Sequence, residues 1–418
     1  MTGTPKKIVL FAPFWRQESH VGNYRVDRFV RWLADEGYSV IIIRAGSSDG
    51  DCQQTWGREI TVQDPLGLHR DTSPGSATYV PPRKYKTLRK LRGAVAGWLL
   101  NPDPDVVWAR VAAMRPPVVQ ATQGAAFILS SSPPESAHLG AWLLSRRTGV
   151  PHIVDMRDGW LDEPLKPVLR TSTLRRWREG RMEARILRHA KGILVTSEIW
   201  KKLLCDRCPA FAPKAHVLTN GYPQYTTTPN PKPPKKPHEE LVLVHAGRFM
   251  QSRSTQLPDL LLEPLFHNLA RMPSCGVVQL IGPLSIDEIL MIEPFKSRFA
   301  AIGWRIECPG SLPRFEVLAL LPKADGLLLL SASHAALPSK LFEYIPTGKP
   351  LFVVTHRNSA VWNICSLLLQ ATLIDIGTGS VNPGLDNQTL FFAKPEFRIP
   401  PEYFEHSLAQ TFKNILNA

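Results

Sequence analysis

The stretch "DGLLLLSA" (325–332), followed by "PSKLFEYIPTGKP" (338–350) and "PLFVVTH" (350–356), decides the fold. Four consecutive leucines leave no polar side to face water, so the run predicts a strand covered on both faces. A short helix and a second apolar strand follow, the order of a strand–helix–strand unit. Pro338 suits the first turn of that helix, where a missing amide costs little, and Thr347-Gly348 closes it. Lys340 and Glu343 then stand one turn apart beyond the strand. A surface ion pair accounts for the spacing. A ligand clamp accounts for the placement as well: Lys340 can offer a point charge to phosphate, and Glu343 can accept hydrogen bonds from two vicinal ribose hydroxyls.

The same scheme recurs along the chain. The first half offers the apolar runs "KIVLFAPF" (7–14), "YSVIIIRAG" (38–46), "DVVWARV" (105–111), "AAFILSSS" (125–132), "PHIVDMRD" (151–158) and "GILVTS" (192–197). The second half adds "ELVLVHAG" (240–247) and "GVVQLIGP" (276–283). Amphipathic segments separate them; Val26, Phe29, Val30, Leu33 and Ala34 form one helix face. The expected class is α/β, with two doubly wound, Rossmann-like domains facing a cleft. "PQYTTTPNPKPPKKPH" (223–238) holds six prolines in sixteen residues and reads as a stiff linker. It divides an N-terminal domain, 1–222, from a C-terminal domain, 239–400. The segment 401–418 has helical periodicity and is free to pack back on either domain.

Bulk properties narrow the functions. A chain of 418 residues exceeds one ordinary core. The net charge of +14 points to an anionic partner. Six cysteines without a framework pattern suit a reducing compartment. The N-terminus lacks a signal peptide's apolar core, and no apolar run approaches the roughly 20 residues that span a bilayer. The expected location is cytoplasmic, with contact to the inner membrane face allowed.

Chemistry is expected at the strand ends. Gly22 precedes a helix whose amides can face an anion, or it is a turn glycine; no dinucleotide fingerprint surrounds it. "SSSPPESAH" (130–138) places His138 in the first turn of a helix, able to bond sugar hydroxyls or phosphate, or to serve the structure alone. In "VDMRDGW" (154–160), Asp155, Arg157 and Asp158 crowd the end of a buried strand, as a functional cluster or as an internal ion network. "HAGRFMQSRS" (245–254) puts Arg248 and Arg253 where a diphosphate could lie.

Together "SSPPESAHLGAWL", "VDMRDGW", "TNGY" (219–222), "HAGRF", "LIGP" and "ADGLLLLSAS…PSKLFEYIPTGKP" resemble the GT-B-fold retaining glycosyltransferases of family 4. The resemblance covers most of the chain. It implies that Glu343 binds the nucleotide ribose as the second glutamate of an E-x7-E motif. It also implies that Arg253, with Arg248 and Lys340, holds the donor diphosphate, that Leu341 follows at the same pocket, and that Gly22 lies near the donor phosphates. Asp155, Arg157 and Trp160 fall on the acceptor or cleft side, and Asp158 and His138 are the expected catalytic positions. No cofactor and no metal are implied, the nucleotide-diphosphate sugar being a substrate. Sugar transfer would retain configuration, to a glycan or lipid-linked acceptor in cell-surface polysaccharide synthesis. One departure stands out: the first glutamate of E-x7-E is Ala335 here. That residue keeps two alternatives open, a non-catalytic scaffold with the same fold and a sugar-nucleotide epimerase.

Two segments concentrate positive charge. "RKYKTLRKLRGAVAGWLL" (83–100) carries six basic residues in its first ten, and "RTSTLRRWREGRMEARILRHAK" (170–191) carries eight against two acids. Such helices fit an anionic membrane surface or are solvated basic faces. No nucleic-acid-binding pattern accompanies them, so no nucleic-acid partner is expected. "CDRC" (205–208) lacks the second pair that a zinc site requires.

Overall fold

The computed structural model describes residues 6–15, 23–68, 100–162, 168–223, 239–247, 258–272, 274–380 and 397–417. Gly22, Arg248, Arg253, the linker beyond Pro223, and the basic segment up to Leu99 lie outside the described residues. The chain divides into two compact units. One gathers the residues up to Thr196 with Lys201–Val217; the other gathers Ser197–Trp200 with the residues from Leu218 onward.

The first unit is built on eight strands: β1 (Lys7–Phe11), β2 (Ser39–Gly46), β3 (Gly50–Gln54), β4 (Gly57–Gln63), β5 (Phe127–Ser132), β6 (His152–Met156), β7 (Gly192–Val195) and β8 (Ala215–Val217). Their order is β3-β4-β2-β1-β5-β6-β7-β8. All neighbours are parallel except β3 with β4, a hairpin at the sheet edge. The helices are α1 (Asn23–Asp35), α2 (Val106–Met114), α3 (Pro116–Thr122), α4 (Ser136–Thr148), α5 (Val168–Thr171), α6 (Thr173–His189) and α7 (Glu198–Arg207). The predicted face of α1 is the buried one, with Val26, Phe29, Val30 and Leu33 inward.

One expectation is corrected here. "DVVWARV" is helix α2, not a strand. The run continues into Ala112 and Ala113, strong helix formers, and its buried residues Val106, Ala109, Ala112 and Ala113 follow a helical period. Trp108 packs at 5.1 Å on Phe11 and donates its indole N–H to Val62 O at 3.0 Å.

The second unit has six parallel strands: β9 (Leu241–Ala246), β10 (Gly276–Ile281), β11 (Trp304–Gly310), β12 (Gly326–Ser331), β13 (Leu351–Thr355) and β14 (Ala371–Asp375). The order is β11-β10-β9-β12-β13-β14. Its helices are α8 (Pro258–Leu269), α9 (Ile286–Ala301), α10 (Arg314–Leu320), α11 (Ser339–Tyr344), α12 (Ala360–Cys365) and α13 (Glu405–Asn417), which closes this unit. The four leucines of β12 alternate as period two requires. Leu328 and Leu330 face α8 and α9 with Leu261, Leu265, Phe295 and Phe299. Leu327 and Leu329 face α11 and α12 with Leu341, Phe342, Val361 and Ile364. Among the described residues no helix is long and apolar enough to cross a membrane.

The parallel strands of each sheet reverse their order once, between β1 and β5 in the first and between β9 and β12 in the second. The carboxyl ends of those strands are the places where such sheets leave a crevice for ligands. Packing on both faces makes β12 the centre of the second unit. Leu328→Ala is expected to lower the stability of this unit by about 2–5 kcal/mol, read as a lower midpoint in thermal unfolding; an unchanged midpoint would contradict the two-sided burial.

Candidate active site

In the second unit the reversal point carries His245, Gly247 and Lys340. His245 is the penultimate residue of β9 and fully buried. Its Nδ1 lies 3.0 Å from the Leu328 carbonyl, which can only accept, so Nδ1 carries the proton. Nε2 is then a bare lone pair, and Lys340 Nζ donates to it at 3.1 Å. The lysine is thereby fixed by a neutral ring. Burial pulls the Lys340 ammonium down to about 8, with Glu343 nearby opposing the shift. At neutral pH it remains mostly charged. Gly247 leaves β9 with φ +104°, a conformation that favours glycine, and a Cβ there would stand 3.3 Å from Lys340 Nζ.

Glu343 points elsewhere. Its carboxylate pairs with Arg314 Nη2 at 2.7 Å, from the start of α10. The two charges of the opening motif thus have separate partners, His245 and Arg314, in place of the surface ion pair that spacing alone suggests. A carboxylate has about four lone-pair positions, so Glu343 keeps acceptor capacity for hydroxyl groups. Tyr344 anchors the helix: its hydroxyl accepts from Ala246 N at 2.7 Å, and burial raises its pKa. Leu341 follows Lys340 on the helix. Its side chain is core and its N–H donates to Pro338 O at 3.1 Å. Ala335 is buried as well, and its carbonyl accepts from Ser197 Oγ at 2.7 Å.

The reversal point of the first unit is more constrained. Asp155, at 0% exposure, accepts from Arg25 Nε at 2.9 Å and Nη2 at 2.7 Å, and from Ser131 Oγ at 2.7 Å. Arg25 comes from the buried side of α1. Arg157 Nε donates to Ser132 O at 2.7 Å, and Thr196 Oγ1 holds the Arg157 carbonyl at 2.8 Å. Arg157 also borders a small pocket with Ala12, Trp15, Asn23, Ser131 and Pro133. Asp158, the next residue in sequence, is half-buried.

Two more expected site residues are interior in this unit, beside Asp155. Trp160 is buried and donates its indole N–H to Glu179 Oε2 at 2.6 Å, while Glu179 Oε1 accepts from Arg175 at 2.6 Å. His138 is 1% exposed. Its Nδ1 lies 2.7 Å from Ser130 Oγ, which also lies 2.8 Å from His152 Nε2. One hydroxyl proton cannot serve both rings, so one ring accepts it and the other donates. Burial drives His138 down to about 4 and His152 well below its ordinary value, so both are neutral. His138 Nε2 is buried and has no hydrogen-bond partner among the described residues.

His245, Arg25 and Arg314 were not singled out from the sequence. A polar residue inside the apolar run "ELVLVHAG" and a charge beside the apolar row of α1 were the signals for the first two. Arg314 had none.

The glycosyl transferase 4-like domain model matches residues 22–221. No curated protein matches the sequence. Solved structures do match over nearly the whole chain. The lipopolysaccharide outer core galactosyltransferase WaaB is 12% identical with a TM-score of 0.52, covering 98% of this chain and 99% of its own. The Anabaena protein HepE, solved in complex with UDP and glucose, is 12% identical with a TM-score of 0.52, covering 99% of each chain. A Rickettsia africae glycosyltransferase is 13% identical with a TM-score of 0.53, covering 99% and 97%. The fold is that of the GT-B glycosyltransferases.

Within this GT-B chain the buried histidines tie stability to pH. Folded His138 titrates near 4 against an ordinary 6.5, so between these values the unfolded state binds more protons. Stability therefore falls as pH drops from 6.5 towards 4. The melting temperature of the wild type should fall more between pH 7 and pH 5 than that of His138→Gln; equal falls would contradict a neutral buried ring.

Proposed function

We propose that the protein is a glycosyltransferase that moves a sugar from a nucleotide diphosphate, UDP foremost, to a glycan or lipid-linked acceptor in cell-surface polysaccharide synthesis. The observation that carries this reading is the cation at the β9–β12 reversal point: Lys340, held by His245 beside Gly247, with Glu343 one turn along α11. The match to the glycosyl transferase 4-like domain and the UDP complex of the HepE neighbour support it. Lys340, with Arg248 and Arg253, would take the diphosphate, and Glu343 would take the ribose. At the β6 end, Arg157 is the residue proposed for the acceptor side and Asp158 the one proposed for the catalytic position.

Transfer would proceed with retention and without a metal. The bond from the sugar's anomeric carbon to the diphosphate breaks, and a bond to the acceptor oxygen forms on the same face. The acceptor proton passes to the departing phosphate oxygen. The chain's part is to stabilise the charge that develops on the diphosphate and to hold the acceptor in place. A cytoplasmic site at the inner membrane face suits a lipid-linked acceptor. Ala335 favours a second reading, a non-catalytic scaffold of the same fold, since it supplies no carboxylate beside the donor sugar.

Thermal shift with UDP, GDP, ADP and dTDP tests the donor site. Selective stabilisation by one nucleotide is expected, with Glu343→Ala weakening it on the order of tenfold to a hundredfold, the worth of a hydrogen bond to a charged group. Affinity should also decline as pH rises through about 8, where Lys340 loses its charge, and Lys340→Met should flatten that profile. No stabilisation by any of the four would sink the donor-site reading and favour the scaffold.

A further inference from the structure

We propose that the outward face of α6 is a docking surface for an anionic lipid bilayer. The helix carries two acids, and both are turned inward. Glu179 pairs with Arg175 in the interior, and Glu183 is buried against Arg207. The outward row, Leu174, Trp177, Arg178, Arg181, Arg185 and Arg188, follows helical spacing and holds no carboxylate. Among the described residues none of Arg181, Arg185 and Arg188, nor Arg146 on the neighbouring α4, forms an ion pair. Like charges three and four residues apart repel one another, so among the described residues Arg181, Arg185 and Arg188 are left without a counter-charge. His189 beside it is held below its ordinary value by burial first, then by Arg146 and Lys214.

The apolar residues on the same row select among anionic partners. Leu174 is 51% and Trp177 57% exposed, at the N-terminal end of the stripe. The Arg181 guanidinium lies 4.9 Å from the Trp177 ring, and that of Arg146 lies 5.5 Å from the ring of Trp142. These side chains border a groove of about 820 Å³. Guanidinium forks match phosphate oxygens, and a Trp–Leu pair gains by entering the boundary between headgroups and acyl chains. A nucleic-acid backbone would satisfy the arginines and leave Leu174 in water. The inference rests on the reading of a membrane-presented acceptor and names the surface that meets the membrane; it requires nothing of the donor site.

Co-sedimentation of the full chain with vesicles tests it, using phosphatidylcholine alone against an equimolar mixture with phosphatidylglycerol. The wild type is expected to bind the mixed vesicles, less so as salt rises, and to leave the neutral ones unbound. The triple change R181Q, R185Q and R188Q should cut partitioning on the order of a hundredfold, about fivefold for each arginine. Trp177→Ala should reduce it by less. Both variants should keep the wild-type melting temperature and the UDP-induced shift, so failure of docking and failure of the donor reading are separate results. No binding by the wild type, equal binding to both vesicles, or binding indifferent to the triple change would overturn the proposal. So would arginine-dependent binding of a short DNA duplex in place of vesicles.

Discussion

Burial of β12 on both faces is the constraint from which the second unit follows. Four leucines in succession can be kept from water only by helices on either side, which α8 and α9 supply on one face and α11 and α12 on the other. A parallel strand so enclosed leaves polar chemistry only at its carboxyl end. Lys340 sits there, within reach of the one polar side chain that the adjacent strand β9 contributes near its end, His245.

The same economy governs charge in the first unit. Asp155, Glu179 and Glu183 are all buried, and each is bound by an arginine from another turn or element. An unpaired carboxylate in such a place would carry a large desolvation penalty, and losing one partner would strand the other. The first pair fastens α1 to β6, the second lies within α6, and the third ties α6 to α7. They also draw both acids of α6 inward, which is why its outer face carries arginines and no carboxylate.

The division of roles in "VDMRDGW" illustrates how far residue type alone can lead. Asp155, Arg157, Asp158 and Trp160 crowd seven residues, yet they part ways in space. A strand alternates its side chains, and the loop after it turns, so Asp155 goes under α1 and Trp160 under α6. Arg157 alone among the four lines the small pocket at the reversal point. His138 shares the fate of Asp155: the first turn of α4 faces the sheet, so the ring meets Ser130 and not solvent.

The sequence by itself determined the class of fold, because apolar periodicity is a local property and parallel strands covered on both faces write it plainly. It marked the strand ends where chemistry belongs, and it marked Lys340 and Glu343 as charges in an unusual place. It could not separate α2 from a strand, since a short apolar run has no decisive period of its own. Only the tertiary structure decided the partners: Arg25 with Asp155 across 130 positions, His245 with Lys340 across 95, Arg314 with Glu343. Those pairings depend on which strands become neighbours, a long-range outcome that no window of the chain contains.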